Sequence, residues 1–160
     1  RLAKSGGRIA LSWWSPPAEN SFLGLFFEAI RDSKAPVSDE LPPGPPVFQY
    51  SSSNELLRLF TNHGMESLKI ETISFSVRFT NSQELWIGVL NSTVRTSAMI
   101  YGQPIEIQIR IRKIFDELCK PYQREGILEI PVLLKIAKGE VPVMRKRFIG
   151  ASTSAFFFMA

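Results

Sequence analysis

The stretch that most constrains this chain is Ser5-Gly6-Gly7, then Arg8-Ile9-Ala10-Leu11-Ser12-Trp13-Trp14, then Ser15-Pro16-Pro17. A glycine turn delivers seven residues with apolar side chains on both faces, and two prolines end the run abruptly. That pattern predicts a strand buried on both sides, as in a parallel sheet. Phe22, Leu25, Phe26, Ala29 and Ile30 follow at helical spacing and predict an amphipathic helix. A buried strand feeding such a helix belongs to the α/β class, and 160 residues suffice for one core of that kind.

The rest of the chain fills in this outline. Residues 32–49 carry Pro36, Pro42, Pro43, Gly44, Pro45 and Pro46 and read as a stiff connector, or alternatively as a ligand for a proline-recognition domain. Ser52-Ser53-Asn54-Glu55 is a capping box opening a helix with Leu56, Leu59 and Phe60 as its buried stripe. Gly64 suits the left-handed terminal position, which places His63 at the helix C-terminus, where partial positive charge is favourable. Residues 68–79 read as a strand whose apolar parity changes near Thr72, implying a bulge or a strand that leaves its sheet. Leu85, Trp86, Val89 and Leu90 share a helical face. Residues 104–120 fit both periods. Pro104, the four-apart pairs Glu106→Arg110 and Asp116→Lys120, and Pro121 as a stop favour a helix there. Cys119, near its end, reads as inert packing. Leu128, Ile130, Val132, Leu134 and Ile136 alternate as a strand, with Pro131 confining its best-paired part to one side.

Several function classes are excluded by what is missing. No two glycines are separated by a single residue or by four, so neither a dinucleotide fingerprint nor a phosphate-cradling loop is present. H-E-x-x-H, G-x-S-x-G and a Cys–His pair are absent too. One histidine and one cysteine cannot make a usual zinc site or an internal disulfide, and the single thiol fits a reducing cytoplasm. The formal net charge of +4 lies wholly in residues 135–160, while residues 1–134 are balanced. A basic surface for nucleic acid is therefore not expected. No apolar run is long enough for a transmembrane span. The first residues lack both an initiator methionine and a signal peptide, and read as the continuation of a longer chain.

Trp13 and Trp14 are the feature with chemical promise. In open α/β sheets ligands bind beyond the carboxyl ends of the strands. Two tryptophans leaving such a strand can wall an apolar pocket, or one can be core while the other covers the sheet edge. Both readings stay open from the residues alone.

The run from Lys4 to Pro17 resembles the "P-G-G-R-hydrophobic" turn and fifth strand of class I S-adenosylmethionine-dependent methyltransferases, with Ser5-Gly6-Gly7 in place of P-G-G. The subgroup it resembles is the type 11 domain, akin to the methyltransferases of ubiquinone and menaquinone biosynthesis. The order that follows is similar as well: a capped helix ending in a G-M turn (Ser52 to Met65), a sixth strand (Glu66 to Phe79), Ser82-Gln83-Glu84-Leu85-Trp86, two helices, and a last strand ending Lys138-Gly139.

The resemblance covers about residues 2–139 and implies a Rossmann-like sheet of order 3-2-1-4-5-7-6, with strand 7 antiparallel. This chain would supply strands 5, 6 and 7 with their helices as the C-terminal, substrate-side portion, residues 1–139. Strands 1–4, with the glycine-rich cofactor loop, the acidic ribose ligand and the residues facing the reacting methyl, would lie in a missing N-terminal half. None of those motifs is present. The implied activity is methyl transfer from S-adenosylmethionine to a small-molecule acceptor without a metal, the chain being inactive alone. Trp13, Trp14 and Ser15, and then Phe22, Phe26 and Trp86, are the candidate pocket residues, and no catalytic residue is assigned. Residues 140–160, basic and then apolar, have no counterpart in the family pattern. The alternative is a non-catalytic interaction domain using the Pro-rich loop and the apolar tail.

Overall fold

A computed structural model describes residues 3–19, 21–36, 44 and 46–143. Most of the Pro-rich stretch and the tail from 144 onward, and with them the proposed interaction surfaces of the alternative reading, lie outside the described residues. In chain order the elements are β1 (Arg8–Trp14), α1 (Ser21–Asp32), α2 (Ser53–Asn62), β2 (Glu66–Phe79), α3 (Ser82–Ser92), α4 (Val94–Tyr101), α5 (Ile105–Cys119), β3 (Gln123–Arg124) and β4 (Ile127–Glu140), with a 3-10 turn at Lys120–Tyr122.

The fold is mixed α/β, with an open antiparallel sheet of four strands and five helices among the described residues. The sheet order is β1-β4-β2, and the short β3 pairs with the start of β4. Both β1 and β2 run antiparallel to β4, so they are parallel to each other with the last strand reversed between them. Glu125 and Gly126, at φ 49° and 81°, make the two-residue turn of the β3–β4 hairpin.

β1 is not buried on both faces. Among the described residues it has one neighbour, β4, and only its Ile9, Trp13 and Trp14 are even half-buried. The physical reason is its position: it is an edge strand, and the helices cover other parts of the sheet. Its apolar side chains reflect a surface prepared for cover that the described residues supply only in part.

The parity change in β2 has a different cause from a bulge. Pairing with β4 runs without interruption from Lys69↔Lys138 to Phe79↔Leu128, straight through Thr72. The register shift lies earlier, between Glu66 and Lys69, where Ser67 adopts φ 52°. What changes at Thr72 is the covered face. Leu68 and Ile70 belong to a small core with Leu56 and Phe60 of α2 and Ala137 of β4. Phe79 belongs to the larger core on the opposite face, built from α1, α3, α5, Leu128 and Ile130.

β4 shows the same switch. Leu128, Ile130 and Val132 are buried on one face, then Lys135, Ala137 and Gly139 on the other, while Leu134 and Ile136 stay half-buried. Pro131 fits because β1 pairs only with residues 134–140. The Ser15 N–H donates to the Leu133 carbonyl at 3.1 Å, so odd-numbered β4 residues turn their backbone groups toward the β1 side. At Pro131 that side has no strand, and no ladder bond is lost.

The helices follow the sequence with adjustments. Ser52 Oγ accepts the Glu55 N–H at 3.1 Å, but the Glu55 carboxylate pairs with Arg58 rather than closing the capping box. His63 ends α2 with Nδ1 2.7 Å from the Leu59 carbonyl, and Gly64 follows at φ 67°. Helix α5 is present, yet neither expected four-apart pair forms among the described residues. Arg110 donates to the Ser33 carbonyl at 3.2 Å, Asp116 pairs with Arg112, and Lys120 pairs with Glu117. A tertiary partner takes Arg110, while Asp116 and Lys120 find other partners on or next to the same helix. No described helix is long and apolar enough to cross a membrane.

Candidate functional site

The end of β1 meets the segment leading into α2 in a groove of about 450 Å3 lined by Ser12, Trp13, Trp14, Pro46, Val47, Gln49 and Tyr50. Its construction starts from strand alternation, which sends Trp13 and Trp14 to opposite faces. The Trp13 indole N–H donates to the Val47 carbonyl at 2.9 Å. Its ring meets Tyr50 edge-on, with centroids 5.2 Å apart. It also packs against the α2 core. Trp14 lies on the other face, stacked on Phe22 of α1 at 6.1 Å, and Phe22 in turn stacks near Phe79 of β2. Each tryptophan is therefore half core and half groove wall.

The remaining pocket candidates separate from these two. Phe26 is fully buried between Trp86, 5.6 Å away, and Phe115, 4.5 Å away. Trp86 carries the Arg112 guanidinium over its ring at 5.1 Å. Phe26 and Trp86 belong to the α1–α3–α5 core and do not line the groove. Phe22 stands between the two regions through its stack on Trp14. Ser15 is fully buried, and its hydroxyl is 3.4 Å from Lys135 Nζ.

Lys135 is the group the sequence reading passed over. Its side chain is only 10% exposed, it pairs across the sheet with both Trp13 and Thr72, and its ammonium reaches Glu19 Oε2 at 3.3 Å. The alternation gives no sign of it: β4 also carries Glu129, Lys138 and Glu140, Lys135 stands at the parity the pattern leaves to polar residues, and only the switch of covered face along the strand buries it. The Ser15–Lys135–Glu19 chain ties the turn after β1 back onto β4 beneath the tryptophans.

The titrating groups nearby are few. Among the described residues that line the groove there is no carboxylate, histidine or lysine. Elsewhere, burial opposes ionisation of Asp116, but hydrogen bonds from Arg112 and Ser82 outweigh it and lower its pKa. Burial, with Asp116 nearby, pushes the Cys119 thiol up to about 12, so it stays protonated and inert. No described cluster of histidine, cysteine and carboxylate side chains could hold a metal ion.

Such a groove can bind and orient but offers no general acid or base. Its aromatic walls and the Gln49 amide suit a flat, largely apolar molecule with one or two polar atoms. Among the described residues lining the groove, none supplies a carboxylate for the ribose hydroxyls of S-adenosylmethionine. No protein-family model matches the chain, and no curated protein matches it.

Proposed function

We propose that this chain forms the acceptor-binding, C-terminal portion of a class I S-adenosylmethionine-dependent methyltransferase domain, the principal cofactor contacts lying on a further segment. The observation that carries the reading is the order β1-β4-β2 with the last strand reversed between two parallel ones. That is the order and direction of strands 5, 7 and 6 in the resembled sheet. Among the described residues no strand pairs with the outer side of β1, the side on which that sheet would continue. The Ser15 N–H donates to the Leu133 carbonyl and the Gly7 carbonyl accepts the Val141 N–H, so the N–H and C=O groups of Arg8, Ala10, Ser12 and Trp14 face outward.

In this reading the part played by the described residues is positional. Trp13, Trp14 and Tyr50 hold a flat acceptor at the carboxyl end of β1, and the apolar walls keep water from it. Methyl transfer depends largely on alignment of donor and acceptor in a dry pocket, so aromatic walls serve it without a strong acid or base.

The test is calorimetric titration with S-adenosylmethionine of two polypeptides: the 160-residue chain, and the same chain joined to whatever its gene encodes upstream. The joined protein is expected to bind one equivalent and the shorter chain none. Stoichiometric binding by the shorter chain, or none by the joined protein, overturns the proposal.

A further inference from the structure

We propose that the α5 surface formed by Ile105 and Ile109 is a self-association site at which two copies of this chain pair their α5 helices antiparallel across a two-fold axis. The inference does not depend on the methyltransferase reading. Ile105 and Ile109 are 61% and 63% exposed, although both stand on a helix whose other face is anchored by the fully buried Ile111 and Phe115. Tyr101, 60% exposed, ends α4 just ahead of them, its carbonyl accepting from the Gln108 amide of α5 at 3.2 Å. Isoleucines one helical turn apart, each with most of its surface in water, leave apolar area that the described residues do not cover, and neighbouring exposed apolar side chains of this kind suit association.

The flanking charges identify the occupant. At 100° per residue, Glu106 and Lys113 fall on the same side of the Ile105–Ile109 stripe, about two turns or ~10 Å apart along the axis. Neither forms an ion pair with a described residue. The local partner expected for Glu106, Arg110, is turned to the Ser33 carbonyl instead. A two-fold axis near Ile109 brings the same flank of each helix together in opposite directions. Glu106 then faces Lys113 of the second copy, and Lys113 faces its Glu106. Ile109 meets Ile109, and Ile105 lies along the aliphatic stem of the second copy's Lys113. One helix thus carries both halves of a complementary pattern, as an isologous interface requires. On the other side of the stripe, Arg112 is already neutralised by Asp116, with contacts of 2.9 and 3.0 Å, and adds no repulsion.

Sedimentation equilibrium of the full chain from about 1 to 200 µM, the range of a modest interface, tests this. A monomer–dimer equilibrium is expected, weakened at least about tenfold by Ile109→Glu, whose side chain is exposed and leaves the fold intact. Glu106→Lys and Lys113→Glu are each expected to weaken it. The double exchange Glu106→Lys/Lys113→Glu restores it to within about twofold, because the swapped charges still face each other. A chain that stays monomeric over the range overturns the proposal. So does a dimer indifferent to Ile109→Glu, or a double exchange no better than the single ones. Ser12→Pro removes an outward N–H of the β1 edge, and a dimer lost to it but kept by Ile109→Glu would place association on that edge instead.

Discussion

The ammonium of Lys135 shows how a single buried charge constrains its surroundings. It is nearly out of water, yet its carboxylate partner Glu19 is half-exposed, and Ser15 is a weak third party at 3.4 Å. The two halves of such a pair are not equivalent. Removing Glu19 leaves a buried cation without its counter-charge, whereas removing the lysine leaves a carboxylate that water can reach. Glu19→Ala is therefore expected to destabilise by about 1 kcal/mol, a value already reduced for the solvation of Glu19. Lys135→Met, which keeps the stem in its apolar surroundings, should cost clearly less, staying within about 0.5 kcal/mol of the parent in either direction. Urea unfolding of the two variants checks the asymmetry. Equal losses would mean that the pair acts as an ordinary surface bridge. The sequence does not mark this lysine, because it stands at the parity that the Leu128-to-Ile136 alternation leaves to polar residues, and only the change of covered face along β4 takes it out of water.

At the level of elements, the periodicities located every strand and helix longer than a few residues except α4, which offers no apolar stripe of its own to read. They could not say which face of the sheet each apolar residue serves. Leu68 and Ile70 differ in parity from Val77 and Phe79 because two separate sets of helices cover opposite faces of one continuous β2, a tertiary fact invisible to a local pattern. The groove was legible through Trp13 and Trp14, while Tyr50 and Val47 join it only because the chain returns from the Pro-rich stretch to the end of β1. Gly139 marks where the second covering helix comes closest. A Cβ there would sit 2.7 Å from Leu68 Cδ2 and 2.9 Å from Phe60 Cδ1. Both neighbours are side-chain ends, but Phe60 is packed in the α2 core and cannot withdraw without opening it. Gly139→Ala should cost about 1–3 kcal/mol by overpacking, measurable as a lower urea midpoint. A neutral result would show that α2 can lift from the sheet at no cost.

Across the whole molecule, the two cores are unequal, and that inequality bears on the groove. The α1–α3–α5 core holds twelve buried residues, whereas the α2 core holds three, so far less apolar surface secures α2 than secures α5. Elements with few buried contacts open by local fluctuation at a fraction of the global free energy. Trp13 and Tyr50 pack on the smaller core, so a groove wall shares the stability of α2, while Trp14 is held from the other face by Phe22. Native-state hydrogen exchange is expected to show the amides of α2 and of residues 48–51 exchanging as one unit. Their opening energy should lie well below that of α1 and α5. Leu56→Ala empties the centre of the small core and should lower protection there by about 2–4 kcal/mol in opening energy, with α5 changed far less. Equal protection of α2 and α5, or equal loss on Leu56→Ala, would mean that the two faces of the sheet unfold together and that the groove is as rigid as the core. The expected separation makes one wall of the groove movable against a fixed one, which is how a pocket with no acid or base of its own can still close around what it binds.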